Sequence, residues 1–101
     1  MIPVVICGGS GYTGGELLRI LSGHPDIEIT AVTSEKSAGK SVPEVFPHLH
    51  ECRHLVYEPL KKEDLLDRAE FFFLALPHGT SQDAVNFFFS KNKNVIDLSA
   101  D

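Results

Sequence analysis

Hydrophobic and polar positions change period several times along this 101-residue chain, and the changes mark its elements. Pro3–Cys7 is an apolar run too short for a buried helix and suited to a buried strand. A glycine-rich segment follows directly. Beyond it Gly14, Leu17, Leu18 and Leu21 recur at i, i+3, i+4 and i+7, one face of a helix over Tyr12–Ser22. Ser22-Gly23-His24-Pro25 stops that helix, with Gly23 expected in the left-handed cap conformation and Pro25 barring continuation. Further strands are predicted at Ile27–Thr33, His54–Tyr57, Phe71–Leu76 and Asn94–Leu98. Further helices are predicted at Lys62–Arg68 and Thr80–Ser90, the latter with Thr80 or Ser81 as its N-cap.

Strands alternating with helices call for an α/β fold: a doubly wound, mainly parallel sheet with helices on both faces, Rossmann-like in its opening unit. Phe71–Leu76 is apolar on both faces, as a central parallel strand must be. The segment from Glu35 to Arg53 has no clear period and reads as a surface loop with at most a short helical turn around Val42–Phe46. In Phe87-Phe88-Phe89 successive rings stand about 100° apart on a helix. Ala84 and Phe88 share a core face, so at least one ring of the three is expected near the surface, where another domain or subunit would meet it.

Ligands of open parallel sheets bind at the carboxyl ends of the strands, and four chemically notable segments fall there: Gly8–Gly15, Thr33–Ser37, Pro77–Thr80 and Ser99–Asp101. The first is the most informative. Glycines let the backbone turn sharply and approach a phosphate, and the free N–H groups of the helix start face its charge. The glycines fit two registers, Gly9-x-Gly11-x-x-Gly14 and the wider Gly8-x-x-Gly11-x-x-Gly14. Both use Gly11 for close phosphate approach and Gly14 for helix–strand packing. A glycine-rich match alone is weak evidence; strand, loop and helix in this order strengthen it.

The second strand bears on cofactor choice. An NAD site places a carboxylate at its end, whereas Val32-Thr33-Ser34 ends in small hydroxyls that leave room for a 2′-phosphate. Ser34 as a donor and Lys36 as a charge favour NADP, and Glu35 between them opposes it. Pro77-His78-Gly79 would line the nicotinamide end. For His78, a role in positioning cofactor or substrate and a bond within its own turn both stand open. His48, His50, Cys52 and His54 would share one side of an extended chain, but zinc motifs draw on two separated pairs and no second pair is present. A polar loop entering an edge strand is the favoured reading there. Cys7 reads as a small core residue and not a nucleophile.

The net charge of −5, with no basic run to offset it, argues against nucleic-acid partners. No apolar stretch reaches membrane-spanning length, and two cysteines give no disulfide framework, so cytoplasmic residence is expected.

Three segments together resemble the N-acetyl-γ-glutamyl-phosphate reductase family: Gly8-Gly9-Ser10-Gly11-Tyr12-Thr13-Gly14-Gly15-Glu16-Leu17-Leu18-Arg19, Phe73-Leu74-Ala75-Leu76-Pro77-His78-Gly79, and Val95-Ile96-Asp97-Leu98-Ser99-Ala100-Asp101. His24-Pro25, Ala38-Gly39-Lys40 and Val45-Phe46-Pro47-His48-Leu49 add to the likeness. It implies an NADP(H)-binding domain over residues 1–101, with Gly8, Ser10, Gly11, Tyr12, Thr13 and Gly14 cradling the pyrophosphate. It places Ser34 and Lys36 at the adenosine ribose, and Pro77, His78, Gly79 and Ser99 toward the nicotinamide. Glu35 departs from the family, which often has arginine after the Thr-Ser of the second strand. The family's cysteine nucleophile and histidine base lie beyond the Leu-Ser-Ala-Asp segment, in a catalytic and oligomerisation domain, and neither Cys7 nor Cys52 matches that cysteine. The resemblance thus implies a domain that binds cofactor without catalysis of its own. In the full-length family the partners are a small acyl-phosphate substrate and further copies of the chain. The alternatives are the cofactor domain of a related acyl-phosphate reductase, including the amino-adipate branch, and a stand-alone nucleotide-binding module.

Overall fold

The computed structural model describes residues 1–98; the side chain of His78 lies outside that description. Among the described residues four strands form one parallel sheet: β1 (Ile2–Cys7), β2 (Ile27–Thr33), β3 (Phe71–Leu74) and β4 (Asn94–Asp97), in the order β2-β1-β3-β4. From β1 the chain crosses through α1 (Tyr12–Ser22) to one side and later returns to β3 on the other. The sheet therefore reverses its winding direction at β1, which opens a crevice at the carboxyl ends of β1 and β3.

The alternation of side chains along β1 divides the core. Val4 and Ile6 join Leu18 and Leu21 of α1, with Ile29 and Val32 of β2. Val5 and Cys7 point to the opposite face, beside Leu65 of α3 (Lys62–Leu65), Phe72 and Leu74 of β3, and Ala84 and Phe88 of α4 (His78–Ser90). A strand buried on both faces has no polar side, which is why β1 and β3 read as unbroken apolar runs. The doubly wound expectation holds, with helices on both faces.

The register of β1 against β2 slips once. Val4 pairs with Ile29 and Val5 with Ala31, so Thr30 is the extra residue of a bulge. Arg68 braces it: one guanidinium nitrogen donates to the Thr30 carbonyl at 3.0 Å, and the fork grips Glu58 at 2.8 and 2.9 Å.

Three expectations are corrected. His54–Tyr57 is not a strand. Val56 makes one antiparallel bridge to Ser41, and Glu58 one parallel bridge to Thr33. Pro59 has no N–H to extend a ladder, so pairing stops after Glu58. Gly23 does cap α1, but at φ −88° it is right-handed, the chain leaving through a turn in which the His24 N–H donates to the Leu21 carbonyl. The last helix begins at His78 with Pro77 as N-cap, not at Thr80 or Ser81. Ser81 instead lies buried and donates its hydroxyl to Asp97 at 2.8 Å, tying α4 to β4.

The segment from Glu35 to Arg53 is more built than a surface loop. It contains α2 (Val42–Val45) and a 3-10 turn at His50–Cys52, and it sends Val42, Leu49 and Cys52 into the core beside α1. Ser41 and Glu44 form a reciprocal capping box on α2. The 3-10 turn also removes the extended geometry that would have aligned the histidines with Cys52, which is buried while His48, His50 and His54 are exposed.

The phenylalanine triplet divides as its helical spacing requires. Phe88 stacks on Phe72 with ring centroids 4.1 Å apart, while Phe89 is 73% exposed. Phe88→Ala should cost about 3–5 kcal/mol, and Phe89→Ala less than about 0.5 kcal/mol, both read from urea denaturation midpoints. Equal losses would contradict this division of the triplet.

Candidate functional site

The site grows out of the turn after β1. Gly8 takes φ +85°, and a β-carbon on it would lie 2.5 Å from the Ala75 carbonyl oxygen, so the turn demands glycine twice over. Gly9 is held to glycine as well, since a β-carbon on it would lie 2.2 Å from Val32 Cγ2, so both registers remain compatible with the loop. The Gly8 and Gly9 N–H groups both donate to the Thr33 carbonyl, at 3.1 and 2.8 Å, fastening the loop to the end of β2. A β-carbon at Gly14 would meet the Gly8 oxygen at 2.5 Å and the Gly9 α-carbon at 2.6 Å. Gly14 thus seats the helix on the loop itself, not on the strand as expected.

Side-chain contacts from Tyr57 and Ser34 help hold this loop in place. The Tyr57 hydroxyl, fully buried, donates to the Gly9 carbonyl at 2.8 Å. Since C=O and N–H of a trans peptide point in opposite directions, this inward carbonyl turns the Ser10 N–H outward. Ser10 and Ser34 hydroxyls share a hydrogen bond of 2.7 Å, and the Ser34 oxygen also accepts the Ser37 N–H at 3.1 Å. Ser34 is therefore a fastener between β2 and the loop as well as part of the cleft wall.

What remains is a row of donors with nothing to bond. The N–H groups of Ser10, Gly11, Tyr12 and Thr13 have no acceptor among the described residues, and Gly11, the N-cap of α1, provides no side-chain cap. A β-carbon at Gly11 would meet nothing within 4 Å. Open space before a row of free amides at a helix start is what an anionic group fits.

Ser10 and Gly11 among these donors border a cleft of about 590 Å³ at the carboxyl end of the sheet, within the size range of small-molecule sites. Gly8, Ser10 and Gly11 line one part; Thr33, Ser34, Glu35 and Lys36 another; Ala75, Leu76, Pro77 and Thr80 a third. Leu60 and Lys62 close it from the segment that enters α3. Of the residues expected in the site, Gly8, Ser10, Gly11, Ser34, Lys36 and Pro77 line the cleft. Tyr12 and Thr13 stand exposed in the first turn of α1, and Gly79 in that of α4, outside the lining. His78 contributes the first residue of α4, and Ser99 lies outside the described residues.

Sequence reasoning missed Tyr57, Leu60 and Lys62. Tyr57 was placed in a strand and no signal joined it to Gly9, 48 residues away. Leu60 and Lys62 reach the cleft only because Glu58 bridges to Thr33 and brings the following residues under the end of β2.

Neither cysteine is an activated nucleophile. Burial pushes the Cys7 thiol up to about 12 against a weaker opposing hydrogen bond from Thr33, and burial raises Cys52 as well.

Fold and cleft together define a dinucleotide-binding α/β domain of the kind that carries a nicotinamide cofactor. Residues 3–101 match the family described as "Semialdehyde dehydrogenase, NAD binding domain", and the chain belongs to that family. Over its whole length it is 52% identical to N-acetyl-gamma-glutamyl-phosphate reductase of Geotalea daltonii and 48% identical to that of Methanothrix thermoacetophila. It spans 29% and 30% of those two proteins. Among solved structures it resembles aspartate semialdehyde dehydrogenase with NADP from Candida albicans, at a TM-score of 0.81 and 22% identity, covering 98% of this chain and 30% of that one. It also resembles GenD2 from gentamicin A biosynthesis in complex with NAD, at a TM-score of 0.73 and 21% identity over 95% of this chain and 26% of that one. At such identity these two likenesses speak for the fold alone. No helix of the described residues is long and apolar enough to cross a membrane.

Two outcomes are expected. Gly11→Val should still fold, because a β-carbon there meets nothing within 4 Å, yet bind nicotinamide dinucleotide at least about tenfold more weakly by calorimetry. Undiminished affinity would displace the anion site from this loop. Alkaline pH should destabilise the fold. Below about pH 9 the Cys7 thiol and the Tyr57 hydroxyl hold their protons folded and unfolded alike. Above it the unfolded thiol, near 9.0, and then the unfolded phenol, near 10.0, ionise, while burial keeps both folded groups protonated toward about 12. Urea midpoints should fall from pH 9 upward, less steeply in Cys7→Ala; parallel slopes would contradict the burial of the thiol.

Proposed function

We propose that this chain is the cofactor-binding part of an N-acetyl-γ-glutamyl-phosphate reductase, which uses NADPH to reduce an acyl phosphate to the semialdehyde. The observation that carries the reading is identity near one half with such reductases over the whole length of the chain. The cleft supports it from the chemical side. Free amides from Ser10 to Thr13 suit the pyrophosphate, Thr33, Ser34 and Lys36 suit the adenosine ribose and its 2′-phosphate, and Pro77 and Thr80 border the nicotinamide end.

Reduction of an acyl phosphate through a thioester needs a thiolate nucleophile and an acid–base partner. Cys7 and Cys52 are both buried with raised thiol pKa values, so neither suits that role. In this reading the 101 residues bind and orient the dinucleotide, and the nucleophile, the acyl-phosphate site and the contacts between copies of a homo-oligomer belong to the rest of the enzyme, in the cytoplasm.

Calorimetric titration tests the reading. NADPH should bind with clear preference over NADH, and mixing the chain with NADPH and N-acetyl-γ-glutamyl phosphate should give no sustained cofactor oxidation. Preference for NADH would make Glu35 the ribose ligand, and turnover by the pure chain would mean that the catalytic groups lie within it.

A further inference from the structure

The cleft holds a second lysine to which neither the glycine loop nor the end of β2 leads. Lys62 opens α3 and lines the same cleft as Lys36. Its ammonium rests 5.6 Å from the centre of the Phe87 ring, which does not line the cleft, a weak contact that the flexible side chain can leave for a charge-assisted bond to an anion. Neither lysine forms an ion pair among the described residues. The acid beside them, Glu35, is engaged elsewhere: its Oε2 accepts the Leu60 N–H at 2.8 Å. That bond ties the approach to α3 onto the end of β2, and Leu60 itself lines the cleft. One latch therefore occupies the carboxylate and brings in the cation two residues further on.

We propose that Lys62 is the second cation of the cofactor's 2′-phosphate subsite, acting with Lys36, and that Glu35 is a latch for Leu60 and not a ribose ligand. The proposal rests on the nicotinamide-dinucleotide reading and adds a residue that decides between the two cofactors. A 2′-phosphate carries nearly two negative charges at neutral pH, and a cleft that also contains a carboxylate needs more than one lysine to favour it. A carboxylate that serves as ribose ligand must accept from the 2′-hydroxyl. In Glu35 one oxygen is already committed to the Leu60 amide, which fixes the carboxylate against the backbone.

The test is titration of the 101-residue chain and two variants with NADPH and NADH. Lys62→Met keeps the aliphatic stem and should bind NADPH about tenfold more weakly, the loss of one charge-assisted contact, while NADH affinity stays within about twofold. Lys62→Arg should restore most of the NADPH affinity. Glu35→Gln, whose amide oxygen still accepts from Leu60, removes a negative charge from the cleft and should bind NADPH more tightly. Unchanged NADPH affinity in Lys62→Met, or equal loss of both cofactors, overturns the assignment of Lys62. Weaker NADH binding in Glu35→Gln overturns the latch. If the parent chain binds neither dinucleotide, the cofactor reading itself fails and this proposal falls with it.

Discussion

Gly14 has no room for a β-carbon, and much of the site follows from that. Any side chain there would drive into the Gly8 carbonyl and the Gly9 backbone, so the first turn of α1 rests directly on the loop it follows. This contact brings the unpaired amides of the helix start to the crevice at the carboxyl end of β1. Gly8, forced to a positive φ by the same turn and crowded by Ala75, sets the other side of the loop. An anion-accepting row of N–H groups is then a product of steric exclusion first and of hydrogen bonding second.

Hydrogen bonding makes that geometry durable by running it all to the end of β2. Thr33 takes the amides of Gly8 and Gly9, Ser34 shares its hydroxyl with Ser10, and Tyr57 reaches Gly9 from below. Each bond uses a group that would otherwise be a buried, unpaired polar atom, and no described buried side-chain nitrogen or oxygen is left without a partner. Within the loop and the helix start, the amides of Ser10 to Thr13 stay unpaired among the described residues, and Ser10 and Gly11 line the cleft.

The legible part of this molecule is the part governed by local period. Ile27–Thr33 and Tyr12–Ser22 come out with the bounds expected, because a short β-branched run and a Gly14-Leu17-Leu18-Leu21 stripe leave little choice. The glycine loop, its order between strand and helix, and the exposure of one ring in Phe87–Phe89 were legible for the same reason. His54–Tyr57 misled because its apolar run resembles a strand, while pairing there is limited to single bridges of Val56 to Ser41 and Glu58 to Thr33 and stops at Pro59. Pro77 takes the N-cap in place of Thr80 and Ser81, and the Ser81 hydroxyl bonds Asp97 on the neighbouring strand. Lys62 and Tyr57 were beyond reach, since each belongs to the site only through contacts made far along the chain.

The central claim is that a nicotinamide dinucleotide lies across the carboxyl ends of β1 and β2 with its pyrophosphate on the α1 amides. Amide chemical shifts of the labelled chain, followed through a titration with NADPH, test it most directly. The largest changes should fall on Ser10, Gly11, Tyr12 and Thr13, with a second group from Ser34 to Lys36. Changes centred at the opposite end of the sheet, near Ile27 and Asn94, with the glycine loop unmoved, would contradict it.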